Sequence, residues 1–252
     1  MSKDITKTPN GTKFRLTNNW RDENQAGGIF TVKSVEIPKN KIVCLVGCNG
    51  IGKTTTLEEI KQFLESSGVQ DVADTDEYNA IAGVFRSLSN KKEKKPVGYL
   101  ISFDKEAKFV LEKKKSWFDE MGLGQMWMSN GESVVSRLNG AFQAITIFAK
   151  KAVAKQVPFW LLIDDVDAGT SIDVISEVKA SLVDLSNYLN KNNLEHYIVV
   201  TSNSFEFAKD MYCLYARTMK KVEVTDYEKY KKFVLKSRKD KEKRDGIHTN
   251  AQ

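Results

Sequence analysis

The clearest chemical pattern in the sequence lies in residues 47–54, which read Gly-Cys-Asn-Gly-Ile-Gly-Lys-Thr. An apolar run, 42–46, precedes them and a helix-compatible stretch follows, so the order is strand, glycine-rich loop and helix. The glycines let backbone N–H groups close around an anion, which the N-terminus of the following helix attracts. The pattern predicts a phosphate-binding loop, called the P-loop below.

Two side chains of the P-loop have separate expected roles. Lys53 is expected to reach the β- and γ-phosphates of a nucleoside triphosphate, and Thr54 to offer its hydroxyl to Mg²⁺. The full set of residues predicted to bind the nucleotide here is Gly47, Asn49, Gly50, Ile51, Gly52, Lys53, Thr54 and Thr55.

A pair of carboxylates forms a second chemical pattern. Asp164 and Asp165 directly follow the apolar run 159–163, which is typical of a Walker B strand that brings a carboxylate to the Mg²⁺ region. Asp164 is the candidate for the metal side, and Asp165 is then placed to polarise an attacking water. The structural alternative is a strand that simply ends in polar turn residues.

Strands alternating with helices must position these groups. Apolar runs at 97–103, 159–163 and 197–201 predict strands, with helices at 54–64, 172–189 and 226–236. This order predicts an α/β fold with a mostly parallel sheet and a ligand at the carboxyl ends of its strands. Alternating residues at 14–16 and 29–37 add a small N-terminal antiparallel sheet.

We expect one folded core that an inserted lobe divides in the sequence. Residues 1–104 would hold the antiparallel sheet and the P-loop part, and 157–236 the Walker B part. Residues 105–156 would form a helical lobe, and 237–252 a basic flexible tail.

Composition restricts the class of protein further. No apolar run is long enough to span a bilayer, and the polar first residues do not resemble a signal peptide, so we expect a cytoplasmic protein. The three cysteines fit reduced thiols better than a disulfide framework. Basic clusters at 91–95, 113–115 and 229–244 could attract nucleic acid, although solvated helix faces would have the same composition.

The segment 128–132, Met-Ser-Asn-Gly-Glu, resembles the signature motif of ATP-binding-cassette (ABC) ATPases, and 167–169, Asp-Ala-Gly, resembles their D-loop. The order of P-loop, signature and Walker B also matches that family. The resemblance implies ATP and Mg²⁺ as ligands, and two chains that close over two ATP molecules. Ser129, Gly131 and Glu132 of one chain would then contact ATP held by the other. Taken alone, the segment could also be an ordinary helix N-cap.

The resemblance extends upstream to Trp20, which lies near the position where ABC ATPases carry an aromatic residue that stacks on adenine. Phe14 and Phe30 are competing candidates for that role. Packing of Trp20 within the small sheet is the structural alternative.

Three positions depart from the family pattern. Ser102 stands where the Q-loop glutamine is expected, Asp165 replaces a catalytic glutamate, and Asn203 replaces the histidine of the switch segment, residues 200–204. Asparagine can hydrogen-bond a phosphate oxygen but cannot carry a positive charge. We therefore expect tight ATP binding with slow hydrolysis, so that ATP acts mainly as a clamp.

The sequence Asp-Asp-Val-Asp-Ala-Gly at 164–169 resembles the chromosome-maintenance (SMC) and RecF-like branch more than transporter subunits. Only about 75 residues separate the P-loop from the signature, so no coiled-coil arm is expected. We expect a soluble, nucleic-acid-linked ATPase of DNA repair or antiviral defence, dimeric with ATP and working with a separate effector protein. The alternatives are the ATPase subunit of a membrane transporter and an ATP-sensing scaffold.

Overall fold

The computed structural model describes residues 5–16, 33–72, 97–103, 130–167 and 171–244. The predicted positions Trp20, Phe30 and Ser129 lie outside these residues. The basic clusters at 91–95 and 113–115 lie outside them as well.

A small antiparallel sheet precedes the P-loop, as predicted. Its three strands, in spatial order, are β1 Ile5–Lys7, β2 Gly11–Leu16 and β3 Lys33–Pro38. Phe14 and Val35 are register partners, and both side chains are buried. Alternate residues of β2 thus face the core while their neighbours face solvent.

Within the described residues the main sheet has seven strands, and it confirms the predicted α/β fold. They are β4 Lys41–Val46, β5 Val69–Asp71, β6 Gly98–Phe103, β7 Phe159–Ile163, β8 His196–Thr201, β9 Tyr212–Tyr215 and β10 Lys221–Val222. Their spatial order is β10-β9-β4-β8-β7-β6-β5, and every pair is parallel except β9 with β10. The carboxyl ends of β4, β8 and β7 therefore meet at one edge.

The described helices are α1 Lys53–Ser66, α2 Asn130–Lys155, α3 Ile172–Lys191, the short α4 Phe205–Ala208 and α5 Tyr227–Arg244. Side chains from successive residues of β8 enter different clusters: Tyr197 packs with α1, whereas Ile198 packs with α3. The main sheet is therefore buried on both faces, which explains why its central strands read as continuous apolar runs.

The prediction of a flexible tail from Ser237 onward is wrong for residues 237–244. Helix α5 continues to Arg244, and Ser237 is only 1% exposed. The helix presents Tyr230, Phe233 and Val234 to the core at helical spacing, and Ser237 continues that face by one further turn. Tertiary packing therefore orders a segment whose composition alone resembles a solvated tail.

The division of the chain into a core and a helical lobe remains a prediction. Most of the predicted lobe, 105–156, lies outside the described side chains. The second half of α2 packs Phe148, Ala149 and Ala152 into the same cluster as α3. No helix in the described part of the chain combines the length and the hydropathy that a membrane-spanning segment needs.

Candidate functional site

The P-loop connects β4 to α1 through three glycines with positive φ. Gly47, Gly50 and Gly52 have φ of 139°, 74° and 104°, a range that other residues adopt only with strain. Gly52 is also the N-cap of α1 and has no side chain with which to satisfy the first N–H groups of the helix. Backbone donors at a helix N-terminus favour an anion, so the geometry suits the predicted phosphate-binding role.

The buried ammonium group of Lys53 links the P-loop to the switch segment. Its Nζ donates hydrogen bonds to the carbonyl oxygens of Gly47 (3.2 Å) and Cys48 (3.4 Å), and to Oδ1 of Asn203 (2.8 Å). Burial lowers the pKa of Lys53, and the nearby carboxylates of Asp165 and Asp167 partly oppose that shift. The cation thus lies in a desolvated place where phosphate oxygens would be strong partners.

Thr54 and Asp164, the two predicted metal ligands, are in contact. Thr54 Oγ1 donates to Asp164 Oδ2 at 2.8 Å, and Thr201 Oγ1 donates to Oδ1 at 2.5 Å. Hydroxyl and carboxylate oxygens are the donors that Mg²⁺ prefers, and this ion usually takes its remaining ligands from water and phosphate. The two side chains therefore fit a magnesium ion that a nucleotide would help to hold.

Asp165 has a left-handed backbone, with φ of 46°. Its N–H donates to Thr201 Oγ1 at 2.7 Å, so the same hydroxyl that holds Asp164 also fixes the turn that follows it. Val166 N–H donates to the Thr201 carbonyl at 3.0 Å and continues this attachment. Thr201 therefore sets the relative positions of the two acidic residues.

Asp167 and Tyr230 hold the backbone of the switch segment. The Asn203 N–H donates to both carboxylate oxygens of Asp167, at 3.2 and 3.0 Å. Tyr230 donates its hydroxyl to the Asn203 carbonyl at 3.2 Å, and burial raises the pKa of Tyr230, which keeps that hydroxyl protonated. Asn203 is thus attached to α5, to the start of the predicted D-loop and to Lys53.

Helix α5 also contacts the P-loop directly. Ser237 Oγ accepts a hydrogen bond from the Cys48 N–H at 3.0 Å. Apolar contacts surround this bond in a cluster made of Cys48, Ile51, Tyr215, Ala216, Val222, Phe233 and Val234. The loop is therefore supported from a helix far from it in sequence.

Ser102 lies inside β6 and not in a loop after it. Its register partner is Leu162, two positions before Asp164, and Ser102 is buried. Asn49 is exposed at the tip of the P-loop, and Thr55 is partly buried in the first turn of α1.

Of the residues expected to contact ATP in the opposite chain, Gly131 and Glu132 belong to the first turn of α2. Phe14 is fully buried and packs edge-to-face against Trp160, with ring centroids 5.8 Å apart. It therefore cannot stack on a base, and this candidate for adenine binding is wrong.

Sequence reasoning missed Thr201, Tyr230, Ser237 and the anchoring role of Asp167. Thr201 is the polar residue that ends the apolar run of β8, and β8 pairs with the P-loop strand β4, a signal that could have identified it. The signal for the α5 residues was the helical spacing of 230, 233, 234 and 237, which predicts a buried face. The many charged residues around them pointed instead to a solvated tail.

No protein-family model and no curated protein matches the sequence. The chain is similar in fold to the ATP-binding cassette MJ1267 of an ABC transporter, at 11% identity and TM-score 0.41, over 87% of this chain and 92% of that one. It is also similar to an ATP-binding subunit of an ABC transporter, at 12% identity and TM-score 0.42, over 94% and 93%. A third similar structure is cbiO1 from Clostridium perfringens, at 13% identity and TM-score 0.37, over 76% of this chain and 77% of that one. At these values the assignment of function must come from the site itself.

Proposed function

We propose that this protein is an ABC-type ATPase that binds Mg²⁺-ATP at the P-loop. The observation that carries the proposal is the meeting of three separate segments at one edge of the sheet. Lys53 contacts Asn203, and Thr54 contacts Asp164, so the loop, the acidic pair and the switch segment converge. A loop alone would bind an anion, but this convergence provides for binding and hydrolysis of a triphosphate.

The expected binding step is an exchange of hydrogen bonds. The N–H groups of the P-loop receive the phosphates, and Lys53 exchanges its contacts with the Gly47 and Cys48 carbonyls for phosphate oxygens. Thr54 and Asp164 would hold Mg²⁺, which neutralises charge on the β- and γ-phosphates when bound.

Asp165 is the proposed group that polarises the attacking water, and Asn203 the group that contacts the γ-phosphate. Both residues should support hydrolysis less well than those of the family pattern, because aspartate is shorter than glutamate and asparagine cannot carry the positive charge of histidine. Hydrolysis should therefore be slow compared with nucleotide binding. ATP would act as a clamp on a dimer in which Ser129, Gly131 and Glu132 of one chain contact ATP bound to the other.

The proposed biological setting is a nucleic-acid-linked process such as DNA repair or antiviral defence, with a separate effector protein. Helix α5 supports this choice, since residues 227–244 contain nine Lys or Arg against three Asp or Glu. That net charge of +6 equals the net charge of the whole chain. The apolar face of α5 is packed on the core, which favours an electrostatic partner such as a phosphate backbone over a membrane surface. Service as a transporter ATPase subunit is the alternative.

The decisive experiment compares wild type with Lys53→Ala for Mg²⁺-ATP binding by calorimetry and for phosphate release. We expect Lys53→Ala to lose at least about a hundredfold in ATP affinity, because a buried charge-assisted contact is removed. Lys191→Ala, at an exposed cation in the last turn of α3, is the matched control and should bind normally. Equal ATP affinity of Lys53→Ala and wild type would disprove the proposed site.

Nucleic-acid binding needs its own variants. Lys231→Glu with Lys232→Glu reverses two exposed charges on α5 and should weaken binding of a duplex DNA oligonucleotide at least about tenfold, with a shallower salt dependence. Lys150→Glu with Lys191→Glu is the matched control, because it makes the same change in net charge at exposed positions of α2 and α3. Absence of DNA binding by the wild-type protein would favour the transporter alternative.

A further inference from the structure

The last part of α5 contacts the P-loop at two points. Ser237 holds the start of the loop through the Cys48 N–H. One turn further along α5, Lys241 reaches the tip of the loop at Gly50. The two residues share one helix face, because they are four positions apart.

The ammonium group of Lys241 lies against the loop backbone. Its Nζ is 2.7 Å from the position that a Cβ on Gly50 would occupy, and its Cε and Cδ are at 3.1 and 3.8 Å from the same point. The end of the side chain therefore lies against the loop, although the residue is partly exposed. Any side chain at position 50 would have to displace this lysine.

The acidic neighbours of Lys241 have other partners. Asp240 accepts a hydrogen bond from the Tyr215 hydroxyl at 3.3 Å, and its other carboxylate oxygen lies 3.9 Å from the Arg217 guanidinium. Glu242 accepts a hydrogen bond from Arg238 Nε at 3.3 Å. The positive charge of Lys241 thus lies beside the loop to which the proposed function assigns the phosphates.

We infer that Lys241 is a second cation of the nucleotide site, which stabilises the polyphosphate together with Lys53. This inference rests on the proposed function and deepens it, because it assigns α5 to the binding site. A charge resting on the loop lies within the roughly 10 Å over which charges interact at moderate salt. Lys53 would supply the inner, buried charge and Lys241 the outer, partly exposed one.

The test compares Lys241→Met, Lys241→Ala and Lys241→Arg with Lys239→Met in the full chain. Methionine keeps an aliphatic stem and removes only the charge, whereas Lys239 is an exposed lysine of the same helix. Binding of Mg²⁺-ATP and Mg²⁺-ADP is measured by calorimetry at low and high salt, and circular dichroism confirms folding.

We expect Lys241→Met and Lys241→Ala to weaken ATP binding about tenfold at low salt, with a smaller loss at high salt. The same two variants should lose less affinity for ADP than for ATP, because ADP carries less negative charge. Lys241→Arg and Lys239→Met should stay within about threefold of wild type.

Normal ATP affinity in Lys241→Met would overturn the inference, whether or not Lys241→Ala is impaired, since only packing would then be involved. If Lys53→Ala loses ATP while Lys241→Met does not, the inference fails and the proposed function stands. If wild type binds neither nucleotide, both are wrong.

Discussion

At the scale of single residues, Thr201 does more than its position at the end of a strand suggests. Its hydroxyl donates to Asp164 and accepts from the Asp165 N–H, and a threonine hydroxyl can do both at once. The carboxylate on the metal side and the backbone of the hydrolytic candidate are thus fixed by one atom. Removal of Thr201 Oγ1 should therefore disturb both the Asp164 carboxylate and the Asp165 backbone.

Thr201→Val removes the hydroxyl and keeps the shape. We expect a loss of about 1–3 kcal/mol in the free energy of unfolding, because the Asp165 N–H and one carboxylate oxygen lose a buried partner. Urea denaturation of wild type and variant measures this difference in the free energy of unfolding. Thr146→Val is the control, since Thr146 is an exposed α2 residue whose hydroxyl bonds its own helix at Phe142. Equal stability of the two variants would contradict this role.

At the scale of elements, the buried central strands were predictable, whereas the edge strands β1 and β5 and the C-terminal end of α5 were not. Apolar runs such as 159–163 and 197–201 identify buried parallel strands because both faces of the sheet are covered. The contacts of Lys53 with the switch segment and of Thr54 with Asp164 then follow from strand order. The contribution of α5 was missed because the contacts that order it join residues nearly 190 positions apart, such as Cys48 and Ser237.

His196 connects α3 to β8 within the core. The ring is fully buried; its Nδ1 lies 3.0 Å from the Leu194 carbonyl and so donates to it, and its Nε2 lies 2.9 Å from Ser186 Oγ. The neighbouring Glu195 bonds Lys7 and Tyr197 instead. Burial lowers the pKa of His196 below its ordinary value, so the folded protein resists protonation of the ring.

This burial predicts a pH dependence of stability. When the pH falls below about 6.5, the unfolded chain takes up a proton that the folded chain resists, so stability is lost on acidification until the folded pKa is passed. Thermal unfolding between about pH 7.5 and pH 5 should show a falling Tm in wild type. His196→Asn should flatten this slope, because asparagine does not titrate in this pH range. An unchanged slope in His196→Asn would refute this assignment.

At the scale of the whole molecule, the charge is concentrated on one helix. Outside residues 227–244 the chain has thirty basic and thirty acidic residues, so its positive character belongs to α5. The inner face of that helix holds the P-loop and the switch segment. Binding of a partner to the outer face of α5 could therefore change the affinity of the proposed site for nucleotide. Nucleotide binding would then change the affinity for the partner by the same factor.

Association is the remaining molecular property to test. With Mg²⁺-ATP, we expect light scattering to show a doubling of mass, and Asp165→Asn to prolong the dimer because hydrolysis is removed. Ser129→Arg should bind ATP as a monomer, since the added bulk would obstruct the surface expected to meet the partner's nucleotide. Dimerisation of Ser129→Arg with ATP would show that residue 129 is not at the interface.

The left-handed backbone at Asp165 restricts which residues can evolve at that position. Aspartate, asparagine and glycine adopt such a conformation more readily than glutamate, which would be held there at a cost of about 1 kcal/mol. Asp165→Glu alone would therefore bring the carboxylate closer to the attacking water but strain the backbone at this position. A faster enzyme would need the turn to change together with the side chain, so the proposed slow turnover would persist even though one mutation could supply the missing methylene.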